Sequence, residues 1–134
     1  PEMAISICLD IFAVDNNNQD ALVIYILALT DQLSQSESKV HRNKITDSIK
    51  KLNSEFLRHY YSGIFLERQA RSLLKHSMSR SFAYDGFIEA IAEFEIAEKM
   101  APDHCADPIL RYNSCLRTIK KENLQPRQEF DELY

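Results

Sequence analysis

The chain has 134 residues, about the length of one domain, and 45% of them are apolar, which is enough to build a hydrophobic core. Its 16 basic and 20 acidic residues give a net charge of −4, whereas nucleic-acid and anionic-membrane binders normally carry a basic surplus, so neither partner is expected. Cys8, Cys105 and Cys115 are odd in number and form no CxxC pair, which predicts free thiols and a reducing, cytoplasmic compartment.

Helix-breaking residues are rare over most of the chain. No proline occurs between Pro1 and Pro102, and the only two glycines are Gly63 and Gly86. This distribution predicts an all-α protein of about six helices, with at least two thirds of its residues helical, against about one third in an average domain.

The first two helices are predicted over residues 2–14 and 21–33, separated by the turn-forming segment DNNNQD. The second contains the longest apolar run, ALVIYILAL. Nine residues fall short of the roughly 20 that span a bilayer as a helix, so the run predicts a buried helix and no membrane partner. A strand is the alternative for this run, because it contains consecutive β-branched and aromatic residues.

A third helix is predicted from about residue 35 to residue 51. Ser34 and Glu37 have the spacing of a capping box, in which each side chain satisfies a free backbone donor of the other residue. The apolar stripe of this helix comprises Val40, Ile45, Ile49 and Leu52.

A fourth, long helix is predicted from Asn53 to the polar segment SMSRS, and a fifth over residues 82–101. Asp107 is predicted to cap the sixth helix, with Pro108 at its first helical position, where the missing N–H costs nothing. We therefore predict one helical domain over residues 1–121 and a C-terminal tail over residues 122–134.

The fifth helix contains a distinctive spacing of small and large residues. In AIAEFEIAEKMAP, small Ala90 is followed by Phe94, small Ala97 and Pro102 at intervals of four, three and five residues. This spacing resembles the second helix of a tetratricopeptide repeat (TPR). Two weaker echoes have the same spacing: Ala4, Cys8, Ile11 and Asn16 near the N-terminus, and His41, Ile45 and Ser48 in the third helix.

The echoes are separated by 37 and 49 residues instead of a uniform repeat length, so the resemblance is to an irregular TPR-like solenoid of helical hairpins. Segments such as ALTDQ, YSGIFLERQA and ILRYNSC also resemble a group of uncharacterised bacterial proteins of this class. That second resemblance implies no activity.

The TPR resemblance implies a noncatalytic module that binds a peptide or a partner helix in a concave groove lined by the second, fourth and sixth helices. Candidate groove residues are those that the repeat arrangement places on the exposed faces of these helices: Asp20, Val23, Leu27, Thr30, Tyr60, Ile64, Glu67, Arg71, Leu110, Ser114 and Arg117. Arg68, Arg71 and Lys75 also form a cationic stripe, which is either a solvated face or a site for an acidic peptide or phosphate.

The alternative function is a helical sensor for a small anion, or a small enzyme built on a bundle. In it Arg68, Arg71, Arg111 and Asn113 would converge on one closed polar pocket. Asn113 is included because an amide in mid-helix has poor helix propensity, which indicates a hydrogen bond either to a neighbouring helix or to a ligand.

Enzymatic chemistry is weakly supported by the sequence. The four histidines have no metalloprotease-like spacing, and the single His104–Cys105 pair is not a set of metal ligands, so we expect no metal and no cofactor. Cys115 in a helix is more typical of a small packing residue than of a nucleophile.

The first predicted helix is apolar around most of its circumference. Its polar positions Glu2, Ser6 and Asp10 form one narrow stripe, and a helix of this kind must be covered on more than one side. We therefore predict that residues 2–14 pack against another copy of the chain, or that the chain belongs to a longer protein.

Overall fold

The computed structural model describes residues 1–33 and 38–127, and these ranges are 76% helical and contain no strand. The predicted all-α class and helical content are therefore confirmed. The six α-helices are α1 (Glu2–Val14), α2 (Gln19–Asp31), α3 (Lys39–Lys50), α4 (Glu55–Leu73), α5 (Ala83–Met100) and α6 (Asp107–Lys121), with a short 3₁₀ turn at Arg80–Phe82 before α5.

Side-chain caps start three of these helices. The side chains of Asn18, Ser38 and Ser54 accept hydrogen bonds of 3.0–3.2 Å from backbone N–H groups in the first turns of α2, α3 and α4. Helix α3 thus begins at Lys39, later than predicted, and the expected capping box at residues 34 and 37 lies outside the described residues. The cap predicted for α6 is also wrong, because Asp107 is already inside the helix and Ala106 precedes it without a side-chain bond.

Each helix packs against the next one in the sequence, and the even-numbered helices also contact one another. Helix α2 contacts α4, and α4 contacts α6, whereas the described parts of α1, α3 and α5 make no comparable contacts among themselves. Helix α4 is therefore central, since it touches α2, α3, α5 and α6. This arrangement brings one row of alternate helices side by side.

Two hydrophobic clusters lie on either side of α4. The first joins α1, α2 and α3 to α4 and is centred on Leu22, Ile26, Leu33, Ile45 and Leu52. The second joins α4, α5 and α6 and is centred on Ile64, Phe87, Ala90, Phe94 and Cys115. Tyr61 on α4 packs against both clusters, so the two halves share one continuous interior.

The closest helix packing occurs between α4 and α5. A Cβ atom added to Gly63 would lie 2.6 Å from Phe94 Cε1, and one added to Gly86 would lie 2.9 Å from Ala70 Cβ. Ala90, Phe94 and Ala97 are each fully buried. The residues of the AIAEFEIAEKMAP segment that define its spacing, Ala90, Phe94 and Ala97, are therefore buried, as a tightly packed helix requires.

Helix α3 departs from its predicted apolar stripe at one position. Ile45, Ile49 and Leu52 are buried as expected, but Val40 is 67% exposed. Its neighbour His41 is buried instead, and the His41 Nε2 atom lies 2.8 Å from the Leu29 carbonyl oxygen of α2. A polar contact therefore replaces one apolar contact between α2 and α3.

Helix α1 packs on α2 and leaves much of its apolar surface uncovered. Cys8 is buried against α2, whereas the exposed residues of the helix include Met3, Ile7, Leu9, Ile11 and Val14. Association through this face stays a prediction. All three cysteines are free in the structure, as their number and spacing predict.

Candidate binding surface

Arg68 connects α4 to the last turn of α2. Its Nη1 donates to Thr30 Oγ1 at 2.9 Å and to the Leu27 carbonyl oxygen at 3.3 Å, and the guanidinium forms an ion pair with Asp31. The unsatisfied carbonyl groups at a helix C-terminus attract cations, so this end of α2 is a favourable place for an arginine. Arg68 therefore fixes the position of α4 relative to α2.

Arg71 makes the corresponding connection between α4 and α6. Its Nη1 donates to Thr118 Oγ1 at 2.9 Å, its Nη2 donates to Ser114 Oγ at 3.0 Å, and its Nε donates to Glu67 Oε2 at 2.9 Å. The guanidinium carbon also lies 5.5 Å from the centroid of the Phe87 ring. Contacts on several sides hold Arg71 in one orientation at the α4–α6 boundary.

Glu67 is a buried carboxylate beneath Arg71, with only 2% of the residue exposed. A second cation, Arg111 of α6, places its Nη1 atom 3.9 Å from Glu67 Oε2. Within the described part of the chain, Glu67 Oε1 has no hydrogen-bond partner. A buried charge of this kind depends on its ion pairs, so Glu67 ties Arg71 and Arg111 to the interior.

Cys115 lies close to this network on α6. Burial, and to a smaller extent the negative charge of Glu67, raises the pKa of the Cys115 thiol to about 12, against the opposing effect of Arg71 and Arg111. The thiol is therefore protonated at neutral pH. Because the thiolate is the nucleophilic form, Cys115 has the character of a packing residue.

Two open depressions adjoin Arg71. The α2–α4 depression is lined by Thr30, Asp31, Leu33, Arg68, Arg71, Ser72 and Lys75. The α4–α6 depression is lined by Arg71, Ser114, Arg117, Thr118, Lys120 and Lys121. Since Arg71 belongs to both, the depressions form one continuous surface across α2, α4 and α6.

A third depression lies between α5 and α6. It has an apolar floor and an acidic rim, and it is lined by Phe94, Glu95, Glu98, Pro108, Ile109, Tyr112 and Asn113. Asn113 therefore lines a different depression from Arg71 and Ser114. The four residues of the predicted anion pocket are likewise not gathered together, because Arg71 and Arg111 meet at Glu67 while Arg68 faces α2.

The predicted groove residues differ in their access to solvent. Ile64 is 1% exposed, and Thr30 and Glu67 are each 2% exposed, so the prediction that these three side chains lie on exposed helix faces is wrong. Asp20, Leu110, Asn113 and Arg117 are exposed, and the remaining candidates are partly buried: Val23, Leu27, Tyr60, Arg68, Arg71, Arg111 and Ser114. Tyr60 packs against Phe94, with the ring centroids 5.9 Å apart.

Three further residues line the α4–α6 depression and were not predicted from the sequence: Thr118, Lys120 and Lys121. A usable signal was present, because Thr118 and Lys121 follow Ser114 and Arg117 by four residues and so lie on the same face of α6. Lys120 and Lys121 were attributed to the favourable interaction of cations with the C-terminal end of the helix dipole. Their position beside the depression was therefore not predicted.

Other kinds of site have little support in the described ranges. No group of three or more His, Cys, Asp or Glu side chains there could hold a metal ion. His59 lies between two carboxylates, with its Nδ1 atom 2.7 Å from Glu93 Oε2 and its Nε2 atom 3.8 Å from Glu55 Oε1. No helix in residues 1–33 or 38–127 is long and apolar enough to cross a membrane.

Comparisons of the chain with protein-family models, with curated proteins and with solved structures found no match.

Proposed function

We propose that this protein is a noncatalytic, cytoplasmic interaction module of TPR-like architecture, which binds a segment of a partner protein along α2, α4 and α6. The observation that carries the proposal is the single row of alternate helices, α2 beside α4 and α4 beside α6. In hairpin solenoids, such a row lines the surface that receives extended peptides or helices.

The side chains of this row support a recognition role. Arg68 joins α4 to α2 through a hydrogen bond to a threonine hydroxyl group, and Arg71 joins α4 to α6 through hydrogen bonds to a serine and a threonine hydroxyl group. These polar contacts hold the three helices in fixed positions beneath the surface. A surface held in one conformation loses less entropy when a ligand binds. The open shape of both depressions favours a chain-like ligand over an enclosed small molecule.

Site-specific cross-linking of selected peptides tests this proposal without assuming their composition. Peptides are first selected from a random displayed library against the full chain. A photo-reactive amino acid is then placed at Lys75 or Arg117 on the proposed surface, and at Ala92 on the exposed side of α5 as the control. We expect cross-links from Lys75 and Arg117 only. Selection of no peptide, or cross-links from Ala92 alone, would contradict the proposal.

A further inference from the structure

The α4–α6 depression is positively charged, and none of the described residues that line it is acidic. Arg71, Arg117, Lys120 and Lys121 line it, together with the hydroxyl groups of Ser114 and Thr118. The chain as a whole has a net charge of −4, so the charge of this depression is opposite in sign to that of the whole protein. Such local concentrations of one sign raise the local concentration of oppositely charged ligands.

The three cations that α6 contributes to this depression are unpaired within the described ranges. Arg117, Lys120 and Lys121 are exposed, and none of them forms an ion pair with another residue in the described ranges. Nearby charges are already matched elsewhere. Glu122 lies 3.6 Å from Arg80, and Glu67 is engaged by Arg71. The α6 cations are therefore available to an external anion.

We infer that the α4–α6 depression binds an acidic segment of a partner protein, with carboxylates that contact Arg117, Lys121 and Arg71. This inference rests on the proposed function and names the chemistry of its ligand. Carboxylates form charge-assisted hydrogen bonds with guanidinium and ammonium groups, and complementary potentials also speed the encounter of the two partners.

The spacing of the cations fits an extended chain better than a single compact anion. Arg117 and Lys121 are one helical turn apart, which is about 6 Å along the helix axis. Alternate side chains of an extended segment repeat every 6.6–6.8 Å, or about the same distance. Acidic residues at alternate positions of the segment therefore match successive cations of α6.

Arg71 contributes a fixed point on the other side of the depression. Its hydrogen bonds to Glu67, Ser114 and Thr118 hold the guanidinium in place. Because Glu67 offsets much of its charge, we expect Arg71 to orient the ligand and the α6 cations to supply most of the attraction.

Calorimetric titration with matched synthetic peptides tests the inference. One probe alternates Glu with Ser, and its control of equal length alternates Gln with Ser. The titrated proteins are the unmodified chain, a groove variant (Arg117→Glu with Lys121→Glu) and a control variant (Lys50→Glu with Lys99→Glu). Both variants change the net charge equally, and Lys50 and Lys99 lie at the exposed ends of α3 and α5. Circular dichroism spectra are recorded for both variants to check that they are folded.

We expect the Glu peptide to bind the unmodified chain, with its affinity reduced about tenfold or more in the groove variant and much less in the control variant. Raising NaCl from about 50 to about 300 mM is expected to weaken binding. Equal binding of the Glu and Gln peptides overturns the acidic preference, while cross-links at Lys75 and Arg117 still support a peptide groove. Equal losses of affinity in the groove and control variants, or no binding by either peptide, also overturn the inference. Failure of the proposed function is detected separately, as a lack of cross-links from Lys75 and Arg117 to the selected peptides.

Discussion

The α4–α5 pair and the α2–α3 pair are held together by different contacts. Helices α4 and α5 approach closely because Gly63 receives the ring of Phe94 and Gly86 lies against Ala70. Between α2 and α3, His41 reaches the Leu29 carbonyl oxygen, and Val40 points to solvent. Small residues thus allow close contact between α4 and α5, whereas the larger, polar His41 of α3 is buried with a hydrogen-bond partner on α2.

The largest effect is expected from a charge placed at a fully buried position of α5. Ala97→Glu would bury an unpaired carboxylate at a fully buried position and should lower the free energy of unfolding by about 3–5 kcal/mol. Ala92→Glu makes the same change at an exposed position of the same helix and should have little effect. Urea unfolding measures both, and equal losses would show that the packing of α5 is assigned incorrectly.

Removal of the Arg71 side-chain charge should have the next largest effect. Arg71→Met leaves buried Glu67 with only the more distant Arg111, so the free energy of unfolding should fall by about 1.5–3 kcal/mol. Arg71 thus has a structural role, because it is the nearer of the two cations that pair with buried Glu67. Arg117→Met is the matched control, because Arg117 is exposed and forms no ion pair with the described residues. Similar stability of the two variants in thermal unfolding would contradict the structural role of the Glu67–Arg71 pair.

Gly63→Ala tests the close approach of α4 and α5 directly. Alanine has the higher helix propensity by about 1 kcal/mol, yet the added Cβ would collide with Phe94, so we expect a net loss of about 1–2 kcal/mol. Ser62→Ala, at the preceding partly buried position, reports propensity without this collision. A gain in stability for Gly63→Ala would mean that Phe94 moves aside at little cost.

His41→Ala tests the α2–α3 contact and should have the smallest effect of the four. Loss of the hydrogen bond to the Leu29 carbonyl oxygen should lower the free energy of unfolding by about 1 kcal/mol. Val40→Ala is the control, since Val40 is largely exposed. If His41→Ala costs more than Gly63→Ala, the α2–α3 pair is the more tightly coupled of the two.

The helices could be predicted well from the sequence because the patterns that indicate a helix are local in the chain. Breaker residues, helix periodicity and the small-residue spacing around Ala97 depend on neighbours a few positions away, and most helix limits were predicted within about two residues. The start of α3 was predicted too early, because the Ser34–Glu37 spacing competes with Ser38, whose side chain caps the helix in the structure.

The candidate surface was only partly predictable because it depends on contacts between distant residues. Glu67 falls on the same face of α4 as Arg71, so periodicity predicts that both are exposed. Its burial follows from the packing of α6, which places Arg111 beside it and Cys115 nearby. No local pattern indicates that two arginines enclose a carboxylate in the interior.

Amide chemical-shift mapping with the Glu–Ser peptide tests whether a ligand binds the row of even-numbered helices at the α4–α6 depression. We expect the largest shifts in residues 71–75 and 114–121, which line the two depressions that adjoin Arg71. The largest shifts on the exposed apolar face of α1, or around Glu95 and Ile109 in the α5–α6 depression, would contradict this binding site.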